Sequence, residues 1–197
     1  MKKNFFIIIF FIFGLTQNSF AYSSDPKQFI TEIVDEAKKI LIETNTKEFK
    51  TTKLSEIALK TVDIKGVGYY SLGSYRKQLT DEQLKKYLIL FEKYFLKSFT
   101  SRLADYSDPK IDVLSTEVIN SKYTIVKSLL LATDKKPEVK IEWRVYTKNP
   151  DKPLIRDLII EGLSLARTQK EEFASVIESN NGDINKLFIT LEEFINK

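Results

Sequence analysis

The stretch Val139–Val145, with the sequence V-K-I-E-W-R-V, decides the fold class of this chain. Apolar and charged residues alternate over all seven positions. Successive side chains of a β-strand point to opposite faces of a sheet, so the alternation predicts a strand with one buried face. Three neighbouring segments also have the pattern of strands. Short polar turns connect the four, which predicts an antiparallel meander. The four predicted strands cover residues 111–119, 123–132, 139–147 and 154–161.

Helices are predicted on both sides of these strands. Asp25 precedes a proline and a helical repeat of apolar residues, Thr80–Gln83 is a capping box before the longest repeat, and Ser164 is placed to cap a later helix. The predicted helices begin at Pro26, cover residues 54–61, 64–72, 165–178 and 183–194, and include the long helix after Thr80. We expect an α+β fold, in which helices pack on one face of a twisted antiparallel sheet of about four strands and enclose an apolar cavity.

The first twenty-one residues have the pattern of a cleavable signal peptide. Lys2 and Lys3 precede an apolar run, Phe5–Leu15, and small residues stand before a cleavage point near Ala21. The run is too short to span a bilayer, although an uncleaved N-terminal anchor is the alternative interpretation. We therefore expect a signal peptide at 1–21, a single domain at 22–197, and export to the periplasm.

Composition excludes several classes of function. The sequence contains no histidine and no cysteine, which removes Ser-His-Asp and Cys-His catalysis and nearly every zinc site. Its formal net charge is +4, of which Lys2 and Lys3 supply two, and the remaining +2 argues against a nucleic-acid binder. We expect no catalytic residues, no bound metal and no resident cofactor.

Two local patterns resemble catalytic motifs and are better explained by structure. Gly162-Leu163-Ser164 lies between a strand and a helix like part of a nucleophile elbow, but no histidine is present to activate the serine. Ser164 is therefore predicted to be a helix cap. Asp157 and Glu161 share one strand face, but about 13 Å separates residues four apart on a strand, too far for a glycosidase pair.

The helix after Thr80 carries an unusually aromatic stripe. Five aromatic residues fall within thirteen positions, at 87, 91, 94, 95 and 99. Such a stripe is explained either by ordinary core packing or by one wall of a wide apolar cavity between the helix and the sheet. The residues alone leave both explanations open.

Two segments resemble one family. The first comprises Asp63–Val67, Leu72–Tyr75 and Leu79–Gln83, followed by the aromatic stripe, and the second is Asp157–Leu165, D-L-I-I-E-G-L-S-L, followed by Phe173. Together they resemble the MlaC-type (toluene-tolerance) periplasmic phospholipid-binding proteins over nearly the whole chain after residue 21. The chain departs from the family pattern at Arg76 and Leu154, where a tryptophan is common, and at residues 168–170, T-Q-K, where Asn-Tyr-Arg is frequent.

The resemblance implies a monomeric shuttle that carries phospholipid as cargo and performs no covalent chemistry. Its implied partners are an outer-membrane lipoprotein complex and an inner-membrane ABC transporter complex, which it contacts transiently to maintain outer-membrane lipid asymmetry. With the resemblance, we expect the acyl tails to contact apolar residues of the helices and the sheet, and the phosphate to meet cations. The predicted tail pocket comprises Tyr70, Phe91, Phe95, Phe99, Ile141, Trp143, Val145, Ile160, Leu163 and Leu165, and the predicted head-group residues are Arg167, Lys170 and Arg144.

Two other functions remain compatible with the sequence. One is a periplasmic chaperone or adaptor, which would expose an apolar patch instead of enclosing a cavity. The other is a small isomerase-like enzyme on the same scaffold, using Asp157 with Tyr146 as acid and base.

Overall fold

The computed structural model describes residues 22–134 and 137–197, so the predicted signal peptide at 1–21 lies outside the described residues. Within the described ranges, six α-helices and a five-stranded antiparallel sheet form the α+β fold that the sequence predicts. The helices are α1 (Pro26–Ile42), α2 (Lys47–Thr61), α3 (Ile64–Leu72), α4 (Asp81–Leu103), α5 (Leu165–Glu178) and α6 (Ile184–Asn196), with a 3-10 helix at Gly73–Gln78. The strands are β1 (Ile111–Asn120), β2 (Tyr123–Leu130), β3 (Val139–Tyr146), β4 (Leu154–Ile160) and β5 (Leu163–Ser164).

The sheet has the order β1-β2-β3-β4-β5, which confirms the meander. The fifth strand was not predicted, because it is only two residues long and follows a two-residue turn. That turn, Glu161 and Gly162, has φ of +49° and +81°, the conformation that closes tight hairpins. It folds the chain back on β4, so that α5 begins directly beside the sheet.

Local capping chemistry sets the helix starts. Thr80 and Gln83 form the predicted capping box of α4, and Ser164 accepts a hydrogen bond from the backbone N–H of Arg167, as a cap of α5 should. Helix α2 begins seven residues before its predicted start, where Thr46 accepts from the N–H of Phe49. The first two turns of α2 are mostly polar, so they carry no apolar repeat that could have revealed them.

One face of the sheet, here called the core face, is filled by helices. Val126, Trp143, Val145 and Ile155 on this face pack against the apolar side of α1 and against Ile57 of α2. The Trp143 indole donates its N–H to the Ser128 hydroxyl at 2.8 Å, so this buried polar group is satisfied. Burial of this kind contributes roughly 1.5–3 kcal/mol for each large apolar side chain.

A second cluster joins the remaining helices. Tyr87 and Phe91 of α4 are almost fully buried and contact Phe173 of α5, with ring centroids 6.4 and 6.2 Å away. Residues of α3 and α6 complete this cluster. The aromatic stripe of α4 is therefore largely core packing between helices.

Candidate functional site

A cavity of about 820 Å³ lies against the other face of the sheet, here called the cavity face. Strands β1 to β4 form one wall, and α3, the 3-10 helix and the start of α5 form the other. The lining comprises five apolar residues, three tyrosines, four cations, three acids, two glycines and one asparagine. They are Val67, Ile119, Ile125, Ile159, Ala166, Tyr69, Tyr70, Tyr123, Arg76, Arg144, Arg156, Lys170, Glu117, Glu142, Asp157, Gly66, Gly73 and Asn120.

Arg156 is held firmly in the sheet wall. Its guanidinium contacts the Asp63 carboxylate at 2.7 Å, donates to the Tyr123 hydroxyl at 2.9 Å and lies 3.5 Å from the centroid of the Tyr146 ring. Burial alone would lower the Arg156 pKa, but the hydrogen bonds to Tyr123 and Asp63 raise it above its usual value. Arg156 is therefore a paired and stacked cation that links β4 to the start of α3, which Asp63 caps.

A β-bulge explains why Arg156 reaches the cavity. In the β3–β4 pairing, Arg144 lies opposite Asp157 and Val145 opposite Ile155, which leaves Arg156 as an extra residue. At a bulge, two consecutive side chains can point toward the same face of the sheet. Both Arg156 and Asp157 consequently line the cavity, which no periodic pattern in the sequence indicates.

Asp157 connects the sheet to the start of α5. Only 6% of the residue is exposed, and its carboxylate accepts hydrogen bonds from the Ser164 hydroxyl at 2.6 Å and the Ala166 N–H at 3.0 Å. The Arg144 guanidinium approaches the same carboxylate at 3.5 Å. Asp157 thus acts as a second cap of α5, and a negative charge there also suits the positive end of the helix dipole.

The acids of β1 and β3 share one lysine. Lys127 donates to Glu117 at 2.7 Å across the β1–β2 pair, and Glu142 lies opposite Lys127 on β3. The hydrogen bond to Glu117, with the nearby charge of Glu142, raises the Lys127 pKa. The charges on the sheet wall therefore largely compensate each other.

On the helical wall, the two cations that line the cavity lie over tyrosine rings. The Arg76 guanidinium lies 5.3 Å from the centroid of Tyr69, and the Lys170 ammonium lies 5.5 Å from that of Tyr70. Gly73 lies three residues before Arg76 in the chain and against the side chain of Lys170. Its φ of +55° favours glycine, and a Cβ there would lie 2.8 Å from Cε of Lys170.

Three of the predicted site residues line this cavity: Tyr70, Arg144 and Lys170. Strand alternation turns Arg144 away from Trp143 and Val145. It indeed lies on the opposite face from them, and that opposite face is the one that borders the cavity.

The predicted apolar strand residues lie elsewhere. Trp143 and Val145 are buried on the core face against α1, and Ile141 and Ile160 occupy the same face beside them. We expected these residues to share a pocket with the aromatic residues of α4. In the structure they lie on the core face, away from the cavity. The reason is physical: an apolar sheet face packs closely against the apolar side of a helix, whereas the face with charged side chains remains incompletely filled.

The other predicted residues also lie outside the lining. Phe91 is buried between helices, and Phe95 and Phe99 stack on each other at 5.6 Å along α4. Leu163 and Leu165 are exposed beside the β4–β5 turn. Arg167 is exposed and pairs with Glu171 at 3.0 Å. For all of them, a direct role in ligand binding stays a prediction.

The residues missed by the sequence analysis fall into two groups. Arg76, Tyr69 and Tyr123 are polar or aromatic residues whose types carry no signal until the chain folds around them. Ile125 and Ile159 could have been identified, because strict alternation with Val126 and Leu158 places them on the opposite face.

No group of three or more potential metal ligands occurs among residues 22–134 and 137–197. In the same ranges, no helix combines the length and the apolar character that crossing a membrane requires.

Comparison with known proteins identifies the fold and the family of the chain. A solved structure of a phospholipid-binding protein from Ralstonia solanacearum, in complex with a phospholipid, matches with a TM-score of 0.72 and 21% identity. The match covers 88% of this chain and 97% of that one, and it shows that the two share a fold. The model of the family described as MlaC protein matches residues 27–193. This confirms the resemblance read from the sequence, and the chain belongs to the MlaC protein family.

Proposed function

We propose that this protein is a periplasmic phospholipid carrier, exported with a signal peptide at 1–21, that takes up one lipid as cargo without chemical change. In this proposal it works as a monomer and shuttles lipid between an outer-membrane lipoprotein complex and an inner-membrane ABC transporter complex. Family membership supports the proposal, and so does the shared fold with a protein whose structure contains a phospholipid.

The observation that carries the proposal is the cavity between the cavity face and α3 and α5. Two acyl tails contain roughly thirty methylenes, whose exposure to water costs about 0.8 kcal/mol each. A carrier therefore needs a large enclosure. The volume of about 820 Å³ lies in the upper part of the range of roughly 300–1,000 Å³ found for ligand sites.

The mixed lining of the cavity is compatible with apolar tails. Val67, Ile125, Ile159 and Ala166 supply apolar surface, together with the faces of three tyrosine rings. The cations of the sheet wall are neutralised or stacked, so a tail beside them meets no isolated charge. We expect the tails to lie along these residues and the phosphate to remain near the exposed cations at the opening.

Helix α4 supports this wall from behind in our proposal. A Cβ at Gly68 of α3 would come within 2.8 Å of Phe91, so the two helices approach closely. The Tyr87 hydroxyl donates to the Gly68 carbonyl at 3.0 Å. Aromatic residues of α4 would thus affect lipid binding by fixing α3, and not by touching the tails.

The alternative enzyme function gains no support from the geometry. Both carboxylate oxygens of Asp157 accept hydrogen bonds from the start of α5, and Tyr146 is covered by Arg156. An acid–base pair needs groups that can reach a substrate in the cavity. A chaperone or adaptor would be favoured only if the purified protein carried no lipid.

A matched pair of substitutions on β1 tests the proposal. Ile119 lines the cavity and is 50% exposed, whereas its neighbour Val118 points to the other face and is 75% exposed. Ile119→Glu should reduce the lipid that co-purifies with the protein several-fold, because a carboxylate then borders the tails. Val118→Glu adds the same charge outside the cavity and should leave lipid occupancy unchanged.

Native mass spectrometry of the protein purified from cells provides the measurement, and the shift between lipid-bound and lipid-free masses gives the occupancy. Wild-type protein without any bound lipid would refute the carrier function. Equal losses in Ile119→Glu and Val118→Glu would place the lipid somewhere other than this cavity. Transfer of labelled phospholipid between two vesicle populations would then test the shuttle step.

A further inference from the structure

We propose that the cavity selects phospholipids whose head groups carry a net negative charge, and that Arg76 and Lys170 make this selection. This inference rests on the proposed carrier function and adds the class of lipid that is preferred. It follows from which charges at the cavity are already compensated and which are not.

The cations of the sheet wall have protein partners. Arg156 is bound to Asp63 at 2.7 Å, and Arg144 approaches Asp157 at 3.5 Å. An anionic ligand would have to compete with these carboxylates. The sheet wall therefore offers little net attraction for a phosphate.

The helical wall differs in this respect. Among the residues that the structure describes, no carboxylate lies within 4.0 Å of the side-chain nitrogens of Arg76 or Lys170. Both residues are exposed, and both line the cavity, so they border its opening. Two cations at one opening that form no ion pair with a carboxylate give a local excess of positive charge.

Their neighbours hold these two side chains in place. Tyr69 and Tyr70 present their ring faces to Arg76 and Lys170, and such contacts favour a cation over an aromatic face. The absence of a side chain at Gly73 lets the Lys170 stem lie across the backbone of the helical wall. Less conformational freedom is then lost when a ligand binds.

The chemistry of the head group supplies the selection. Phosphatidylglycerol and phosphatidylethanolamine both have a phosphodiester that can accept hydrogen bonds from a guanidinium or an ammonium group. An ethanolamine head group also carries an ammonium close to that phosphate, which two fixed cations repel. A glycerol head group lacks this positive charge, so the two cations favour it.

A competition experiment tests the inference. Wild-type protein without bound lipid is incubated with vesicles of equal parts phosphatidylglycerol and phosphatidylethanolamine with identical acyl chains, re-isolated, and analysed by mass spectrometry. Exposed ion contacts are individually weak, so two of them should give a preference for phosphatidylglycerol of roughly three- to ten-fold. The double variant Arg76→Gln with Lys170→Gln should bring the ratio close to one, because it weakens the binding of phosphatidylglycerol more than that of phosphatidylethanolamine.

Lys77→Gln with Lys186→Gln is the matched control. It removes two exposed cations that do not line the cavity, and it should keep the wild-type ratio. A thermal unfolding curve for each variant verifies that the fold is retained. We expect it to be retained, because all four side chains are exposed.

The outcomes separate the inference from the proposed function. Binding of both lipids without preference, or a preference that survives in the double variant, would overturn the inference and leave the carrier function intact. No binding of either lipid would refute the carrier function itself. Titration calorimetry with inorganic phosphate completes the design. Phosphate could bind the wild type but not the double variant while neither lipid is preferred. In that case the two cations form a free-phosphate site and the inference is wrong.

Discussion

Removal of the Asp157 carboxylate should destabilise the protein more than any other single change at the cavity. Two donors at the start of α5 depend on this side chain, the Ser164 hydroxyl at 2.6 Å and the Ala166 N–H at 3.0 Å. The Ala166 N–H is one of the orphan donors at a helix start, and it is buried. In Asp157→Ala it would have no protein partner.

The magnitude follows from these contacts. A hydrogen bond to a charged group contributes about 1.5–3 kcal/mol, and an unsatisfied buried donor costs about 1–3 kcal/mol. The Ser164 hydroxyl can rotate toward water, so the loss of its hydrogen bond to Asp157 contributes only part of this free energy. We expect the free energy of unfolding to fall by about 3 kcal/mol, which for a domain of this size lowers the melting temperature by roughly 6–12 °C.

Chemical denaturation of the chain from residue 22 onward provides the assay, with the midpoint and slope fitted for each variant. In Asp157→Asn the free energy of unfolding should fall by about half as much. The amide oxygen can still accept from the Ala166 N–H, and the NH₂ can donate to the Ser164 hydroxyl. Glu171→Ala, which removes only an exposed ion pair with Arg167, should change stability by less than about 0.5 kcal/mol. A loss below about 1 kcal/mol in Asp157→Ala would refute the double-cap interpretation, since it would mean that water replaces the carboxylate.

Two further changes test other parts of the structure. Burial raises the pKa of Tyr87 above its usual value of 10.0, so the unfolded state ionises first and stability is lost as pH rises above that value. In Tyr87→Phe the decline between about pH 10 and 11.5 should be shallower by up to about 1.4 kcal/mol per pH unit, and an unchanged slope in denaturation curves would contradict this. Arg156→Lys should lower the free energy of unfolding by roughly 1–2 kcal/mol, because lysine loses the planar stacking on Tyr146 and part of the contact with Asp63. A stability equal to wild type in the same assay would show that the stacked pair contributes nothing.

Short-range chemistry explains why most elements could be predicted. The capping box at Thr80 and the cap at Ser164 depend on residues three positions apart, and the strand at Val139–Tyr146 depends on alternation between neighbours. The polar first turns of α2 and the two-residue strand β5 lack such patterns. The first turns of α2 depend on the local cap at Thr46 and carry no apolar repeat, and β5 is held by its pairing with β4, so sequence periodicity indicates neither.

The candidate site was predicted only in part for a related reason. Alternation divides the side chains of β3 into two faces, but it does not indicate which face a helix will fill. The apolar face with Trp143 and Val145 was expected to line a cavity, and in the structure it packs against α1. The charged face with Glu142 and Arg144 borders the open volume instead.

The sequence by itself determined the α+β class, the strand order and the family, because all three are written in local patterns and short motifs. Only the tertiary structure decided which sheet face borders the cavity and which cations there are compensated. Asp63 and Arg156 lie 93 positions apart in the chain, yet they form one of the closest ion pairs at the cavity. Packing brings such distant groups together, and a bulge in β4 turns Arg156 toward its partner, so neither could be derived from the order of residues alone.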